Sequence, residues 1–253
     1  MRLEAEYLNG KKNGKGKEYY DSGKLRFEGE YLNGKISGKI KEYYENGKIR
    51  FEGEYLNGKI IGKIKEYHEN GELIYEGEYL KGERNGKGKE YNHNNGELIF
   101  EGEFLNGKRW NGKGKEFNYD NKLIFEGEYL KGRKNGKGKE YYKNSKLRFE
   151  GEYLNGKKWN GIGYNIDGNM IFEIKDGKGK IKEYDYDGKL QFEGEYLNGK
   201  RHGKGKEYDL FNGKLVFEGE YLNGERNGKG KEYNKSGKLK YEGDYINGKR
   251  KNW

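Results

Sequence analysis

One short string constrains this chain more than any other feature: an aromatic residue followed by Glu-Gly-Glu, returning about every two dozen residues. The aromatic falls at Phe27, Phe51, Tyr75, Phe100, Phe125, Phe149, Phe192, Phe217 and Tyr241, where Glu-Gly-Asp follows it; Leu3 is a weaker first copy and Phe172 a damaged one. Successive starts are mostly 24 or 25 residues apart, but 23 from Phe149 to Phe172 and 20 from Phe172 to Phe192. A fixed period of this length marks a repeat array, in which each unit is covered by its neighbours.

Each copy reads as two short strands. In the copy from Phe27, the segment Leu25 to Leu32 places Leu25, Phe27, Gly29 and Tyr31 on one face and Glu28, Glu30 and Leu32 on the other. The second strand runs roughly from Lys39 to Tyr44. Asn33-Gly34 and Asn46-Gly47 punctuate the copy, and Asn-Gly supplies the positive φ angles of a tight hairpin turn. The spacing predicts a near two-residue hairpin at Asn46-Gly47 and a longer loop from Asn33 to Gly38. Helix is a poor alternative, because 45 glycines would each cost about 1 kcal/mol in a helix interior. A lone hairpin is marginal in water, whereas stacked hairpins pair each other's edges. The expected fold is all-β: an elongated, single-layer, twisted antiparallel sheet of tandem β-hairpins, solenoid-like, over residues 1–253, with irregular copies at 161–191.

Composition removes several classes. Lys+Arg is 53 and Asp+Glu 43, for a net charge of +10, and charged residues make up 38% of the chain. Low hydrophobicity with high charge favours disorder, but the strict aromatic spacing decides for structure. Zero Cys removes disulfides, thiolate metal sites and thiol catalysis. No apolar stretch approaches the roughly 18 residues of a spanning helix. Met1-Arg2-Leu3-Glu4-Ala5-Glu6 has no apolar core and does not read as a secretory signal. The expected location is therefore cytoplasmic, peripheral to a membrane or the cytoskeleton.

The charges are ordered. Glu-Gly-Glu in the first strand lies opposite Lys-Gly-Lys-Glu or Lys-Ile-Lys-Glu in the second, so cross-strand Glu–Lys pairs form a ladder on the solvent face. The long loops carry further basic residues: Lys11 and Lys12, Lys108 and Arg109, Arg133 and Lys134, Lys157 and Lys158, Lys200 and Arg201, and Lys249 to Lys251. Aligned along one edge, they would make a strip able to meet anionic headgroups. Nucleic acid is disfavoured, since Lys dominates Arg and Glu is dense beside it. Trp110 and Trp159 are one-residue insertions in equivalent loops. Each reads either as an interface anchor or as a ring folded over the neighbouring loop.

Phe192-Glu-Gly-Glu-Tyr-Leu-Asn-Gly-Lys-Arg-His-Gly-Lys-Gly205 resembles the MORN repeat (membrane occupation and recognition nexus), and matching segments begin at Phe27, Phe51, Tyr75, Phe125 and Phe217. The form with Glu-Asn-Gly-Lys-Leu between copies resembles the MORN-variant repeats. One departure stands out. The aromatic of the second strand (Tyr19, Tyr43, Tyr67, Tyr91, Phe117, Tyr141, Tyr184, Tyr208, Tyr233) is one residue out of phase with the glycines. Either that strand bulges or the ring packs on the other face.

The resemblance implies a MORN array with an aromatic-lined groove and a non-enzymatic scaffold that binds a protein partner, a helix or an extended segment, or self-associates. The groove candidates are Tyr31, Tyr55, Tyr79, Phe104, Tyr129, Tyr153, Tyr196, Tyr221 and Tyr245, which serve equally as core. The alternative is a peripheral module binding anionic phospholipids through Lys11, Lys12, Lys108, Arg109, Trp110, Lys157, Lys158, Trp159, Lys200 and Arg201. A lower reading is a carbohydrate- or choline-binding hairpin repeat. The histidines (His68, His93, His202) have no metal spacing, no serine sits in a nucleophile elbow, and the repeating carboxylates have Lys partners. No catalytic site, metal or cofactor is expected.

Overall fold

The computed structural model describes residues 2–251. Strands and turns make up the whole of it; among the described residues there is no helix, and so none long and apolar enough to cross a membrane. The chain divides into two compact units, residues 1–114 and 115–253.

In the first unit, strands pair antiparallel with their sequence neighbours from Leu3–Leu8 to Lys108–Phe117. In the second, one run extends from Leu123–Leu130 to Met170–Ile174, and another from Gly179–Tyr184 to Lys249–Arg250. The break has a local cause. Phe149 precedes its turn at Asn155-Gly156 by Glu-Gly-Glu-Tyr-Leu, whereas Phe172 is followed by only Glu173-Ile174-Lys175 before Asp176-Gly177. The arms are too short for a ladder, and one bridge, Lys175 to Lys178, remains.

The two turns of each copy reverse the expectation from sequence. Asn33-Gly34 is the two-residue hairpin: Leu32 pairs with Lys35, and φ is 52° at Asn33 and 85° at Gly34. Two consecutive positive φ angles define the type I′ turn, whose twist matches that of the strands. At Asn46-Gly47 only the glycine has positive φ. There the Tyr44 N–H donates to the Lys48 carbonyl and the Gly47 N–H to the Tyr44 carbonyl. This is a three-residue loop closed by a left-handed glycine.

The out-of-phase aromatic is explained by the second sequence alternative: Glu42 points into the aromatic layer, accepting from Tyr55, and Tyr43, the next residue, faces the other way by simple alternation. The register also shifts between Glu42 and Tyr43, skipping Arg50 on the partner strand, and the same shift follows Glu18, Glu66 and Glu140. The Tyr43 ring lies with the Glu/Lys rows, where its hydroxyl donates to Glu28 Oε1 at 2.6 Å.

The core is the other face. Phe27, Phe51, Tyr75, Phe100, Phe125, Phe149, Phe192 and Phe217 are buried along it. Each packs edge-on against the tyrosine or phenylalanine four residues later, and several also meet that residue of the next copy: Tyr75 with Phe104, Phe125 with Tyr153, Phe192 with Tyr221, Phe217 with Tyr245, at 5.1–5.5 Å between centroids. Edge-to-face pairs add about 0.5–1.5 kcal/mol beyond area burial. Glycine opens the space: a Cβ on Gly205 would stand 2.6 Å from the Phe192 ring. Where Ile40, Ile64 and Ile181 replace that glycine, they are buried in the same layer.

Candidate functional site

The ring face carries a repeating polar unit. The Glu that precedes the second-strand aromatic points into this layer, accepting a hydrogen bond from the tyrosine of the next strand. Tyr31 donates to Glu18 at 2.7 Å, Tyr129 to Glu116 at 2.6 Å, Tyr153 to Glu140 at 2.8 Å and Tyr221 to Glu207 at 2.6 Å. A loop cation closes the unit from above the ring. Arg84 pairs with Glu66 and Glu90 and lies over Tyr75; Arg226 pairs with Glu207 and Glu232 and lies over Phe217. In the second unit Glu183, Arg201, Glu207, Arg226, Glu232 and Arg250 thereby form one alternating ribbon.

Electrostatics follow this geometry. Burial alone would raise the Glu140 carboxyl, but Lys158 and Arg148, with hydrogen bonds from Lys158 and Tyr153, outweigh it and hold the group down at about 2. Glu183 and Glu207 are lowered against burial by Arg201 and Arg226. Burial and the carboxylate partner push the phenols up, to about 12 at Tyr43 and Tyr67.

The opposite face is concave. In the first unit a groove of about 1290 Å³ runs over residues 4–103, lined by Glu-Gly-Glu and by Lys-Gly-Lys or Lys-Ile-Lys; the second unit repeats it, at about 910 Å³, from Ile171 to Asp244. Cross-strand pairing sets two rows. In one, Glu28 stands between Lys17 and Lys41, and Glu52 between Lys41 and Lys65. In the other, Glu30 follows Lys15 and Glu54 follows Lys39. At one border tyrosine hydroxyls hold the glutamates: Tyr19 to Glu4, Tyr43 to Glu28, Tyr67 to Glu52, Tyr91 to Glu76. At the other lie exposed leucines, one before each Asn-Gly or Lys-Gly turn: Leu8, Leu32, Leu56, Leu80 and Leu105.

The residues singled out from sequence fall as follows. Tyr31, Phe104, Tyr153, Tyr221 and Tyr245 are buried, and Tyr55, Tyr79, Tyr129 and Tyr196 partly buried. All nine belong to the ring layer, and none lines the groove of either unit. The basic pairs split. Lys11, Lys108 and Lys200 are exposed at the turns, while Lys12 lies over Tyr31, Arg109 over Phe100, Lys158 over Phe149 and Arg201 over Phe192. Arg109, Lys158 and Arg201 also pair with Glu90, Glu140 and Glu183. Lys157 is half-buried, reaching the Asn198 carbonyl.

Both tryptophans sit at bulges. Tyr153 pairs with Lys158 and Glu152 with Asn160, leaving Trp159 over; Phe104 pairs with Arg109 and Glu103 with Asn111, leaving Trp110 over. Trp159 packs on Gly177, whose N–H donates to the Trp159 carbonyl. The insertion changes how a glutamate is satisfied. In four other copies the second Glu accepts from a backbone N–H beyond a positive-φ glycine: Glu6 from Lys15, Glu78 from Lys87, Glu128 from Lys137 and Glu220 from Lys229. In the tryptophan copies, Asn111 and Asn160 side chains donate to Glu103 and Glu152 instead.

The sequence reading missed two sets: the glutamates of the ring face and the leucine border. The first had a signal, since Glu, then Tyr 13 residues on, then Arg or Lys 18 residues on, repeats at Glu66, Glu140 and Glu183. Among the described residues no group of acidic or histidine side chains is arranged to hold a metal. His68 and His93 stack at 4.7 Å.

Among solved structures, the chain resembles "Crystal Structure of TcdB2-TccC3-Cdc42" at 12% identity and TM-score 0.22, covering 87% of this chain and 13% of that one. "Crystal Structure of TcdB2-TccC3-TEV" gives 14% and 0.21, with 89% and 12% covered. The chain thus spans about an eighth of those chains, and scores of this size do not establish a shared fold. No curated protein matches the chain. Two family descriptions match it through most of its length. "MORN repeat variant" covers residues 12–33, 36–57, 60–81, 178–198 and 226–247. "MORN repeat" covers 75–97, 100–117, 125–146 and 192–209. Hairpin, glycine and aromatic spacing agree with these matches, and the chain belongs to the MORN repeat family.

Proposed function

We propose that this protein is a non-enzymatic scaffold that binds a protein segment in the Glu/Lys groove of its units. The observation that carries this reading is the pair of grooves, open and built from the same rows in both units. The ring face offers less: its aromatic surface is filled by neighbouring rings and covered by arginine and lysine. A groove whose walls recur with every copy suits an elongated partner, because each copy adds the same small contribution. The test compares proteins captured by the native chain with those captured by a variant carrying Lys39→Glu and Lys63→Glu, and by one carrying Arg201→Ala on the ring face. A partner lost with the first variant and kept with the second supports the groove; equal capture by all three overturns it.

A second reading has its own support. The turn border places Leu8 beside Lys11, Leu32 beside Lys35, Leu56 beside Lys59 and Leu105 beside Lys108. Exposed leucine next to lysine is a composition that inserts shallowly into an anionic bilayer. Co-sedimentation with anionic and neutral vesicles, at low and physiological salt, decides this. Binding to the anionic vesicles at both salts supports it, and absence at both removes it.

A further inference from the structure

Three stretches of the first unit carry the same five residues, Tyr-Leu-Asn-Gly-Lys, at 7–11, 31–35 and 55–59. Each closes a two-residue hairpin with positive φ at both Asn and Gly. Their surroundings differ in one hydrogen bond. The Gly34 N–H donates to the Lys12 carbonyl and the Gly58 N–H to the Ile36 carbonyl, each 2.8 Å away and just past the preceding turn. The Gly10 N–H meets no acceptor among the described residues, and the Asn9 side chain makes no hydrogen bond among them. Asn9 and Gly10 are both exposed.

The other Asn-Gly pairs are held. Gly107 donates to Arg84 in the same way, and in the second unit Gly156, Gly199, Gly224 and Gly248 donate to the carbonyls of Lys134, Gly177, Arg201 and Arg226. At Asn46, Asn70, Asn95 and Asn212 the glycine N–H is taken within the turn, and the Asn Oδ1 accepts from the backbone N–H two residues on. At the bulges, the Oδ1 atoms of Asn13, Asn135 and Asn227 accept from the N–H of Asn33, Asn155 and Asn247. Asn111 and Asn160 donate to glutamates. Asn85 is half-buried in its strand, with Gly86 paired to Phe104. Asn9-Gly10 alone combines exposure, an unbonded side-chain amide and an unbonded glycine N–H among the described residues.

We propose that Asn9 is a site of spontaneous covalent modification, deamidation through a cyclic imide, and that the hydrogen-bonded turns protect the identical sequence at Asn33 and Asn57. The Gly10 nitrogen gives up its proton to hydroxide and attacks Asn9 Cγ. A bond forms between that nitrogen and Cγ, the Cγ–Nδ2 bond breaks, and Nδ2 leaves as ammonia. Water then opens the imide at either carbonyl, giving aspartate or isoaspartate, and nothing is oxidised or reduced. A glycine N–H that donates to a carbonyl must open that bond before its proton can leave. Lysine follows the glycine in all three stretches, so local charge does not single Asn9 out. The two products differ in effect. Aspartate tolerates positive φ and leaves the turn closed. Isoaspartate lengthens the backbone of a turn in which Leu8 pairs directly with Lys11, and so loosens the hairpin of Leu3–Leu8 and Lys11–Tyr19.

The test incubates the full chain in mildly alkaline buffer and follows the tryptic peptides 3–11, 27–35 and 51–59 by mass spectrometry. Asn9 is expected to convert about fivefold to tenfold faster than Asn33 or Asn57, the worth of one hydrogen bond. In urea the three rates converge, because the sequence around them is the same. Deuterium exchange of the folded chain gives an independent readout: the Gly10 N–H exchanges faster than those of Gly34 and Gly58. Enzymatic methylation of isoaspartate labels peptide 3–11 first. Asn9→Gln removes the fast event, and a thermal melt confirms that this variant folds. Equal conversion of the three asparagines in the folded chain, or a preference for Asn9 that persists in urea, overturns the proposal.

Discussion

The Tyr153 hydroxyl donates to Glu140 Oε1 across 2.8 Å, and both residues are buried. Lys158 and Arg148 each reach Glu140 Oε2 at 2.8 Å. This is the most enclosed of the Tyr–Glu–cation units. Its carboxyl is held at about 2, well below the 4.5 of a free glutamate. A lowered carboxyl contributes stability above its unfolded pKa and loses it as pH falls toward the folded one. We expect the urea midpoint to be flat above about pH 5 and to fall between about pH 4.5 and 2, with Glu140 contributing on the order of 3 kcal/mol. Glu140→Gln reduces that slope. Tyr153→Phe removes one buried hydrogen bond and costs about 1–3 kcal/mol. An unchanged slope in Glu140→Gln would sink this assignment.

At high pH the sign reverses. Tyr43 and Tyr67 are raised to about 12 by burial and by Glu28 and Glu52. A raised phenol contributes stability that is complete below the unfolded pKa near 10 and lost as pH climbs through 12. Strand signal in circular dichroism should therefore hold through about pH 10 and collapse as pH climbs toward 12. Its loss by about pH 10 would contradict the burial of these rings.

Lys200 and Arg201 are sequence neighbours with different surroundings. Arg201 pairs with Glu183 at 2.9 Å and lies over the Phe192 ring, whereas Lys200 is exposed. Removing one partner of a largely buried pair strands the other charge. Arg201→Ala should cost about 2–3 kcal/mol, and Lys200→Ala less than about 0.5 kcal/mol. Chemical denaturation of the two variants reads the difference; equal losses would mean that the guanidinium is not committed to the ring face.

Gly205 tests the ring layer itself. A Cβ there meets Phe192 at 2.6 Å and Tyr221 at 3.0 Å. We expect Gly205→Ala to lower stability by about 1–3 kcal/mol through overpacking, even though φ at this position suits any residue. At Gly213 nothing lies within 4 Å of a Cβ and φ is 69°, so Gly213→Ala is strained by conformation alone and should cost about 1 kcal/mol. A thermal melt in which Gly205→Ala is the milder change would rule out the close ring contact.

Much of this was legible in the residues. Period-two alternation placed Phe27, Gly29 and Tyr31 on one face and Glu28, Glu30 and Leu32 on the other, and the Lys–Glu register followed from hairpin pairing. The destination of the basic loops was not legible. Lys11 and Lys12 look alike as letters, yet adjacent strand positions face opposite ways, so one stays at the turn and the other covers a ring. The groove face was equally hidden, because curvature is not a property of any single copy.

By itself, the sequence determined the hairpin repeat, the two-faced strands and the family, since these depend on local turn chemistry and on a side-chain period that no partner alters. Tertiary structure decided which Asn-Gly closes in two residues and which face is concave. Each depends on the accumulated register of neighbouring strands, which shifts by one residue per copy where Arg50 stands unpaired opposite Glu42 and Tyr43.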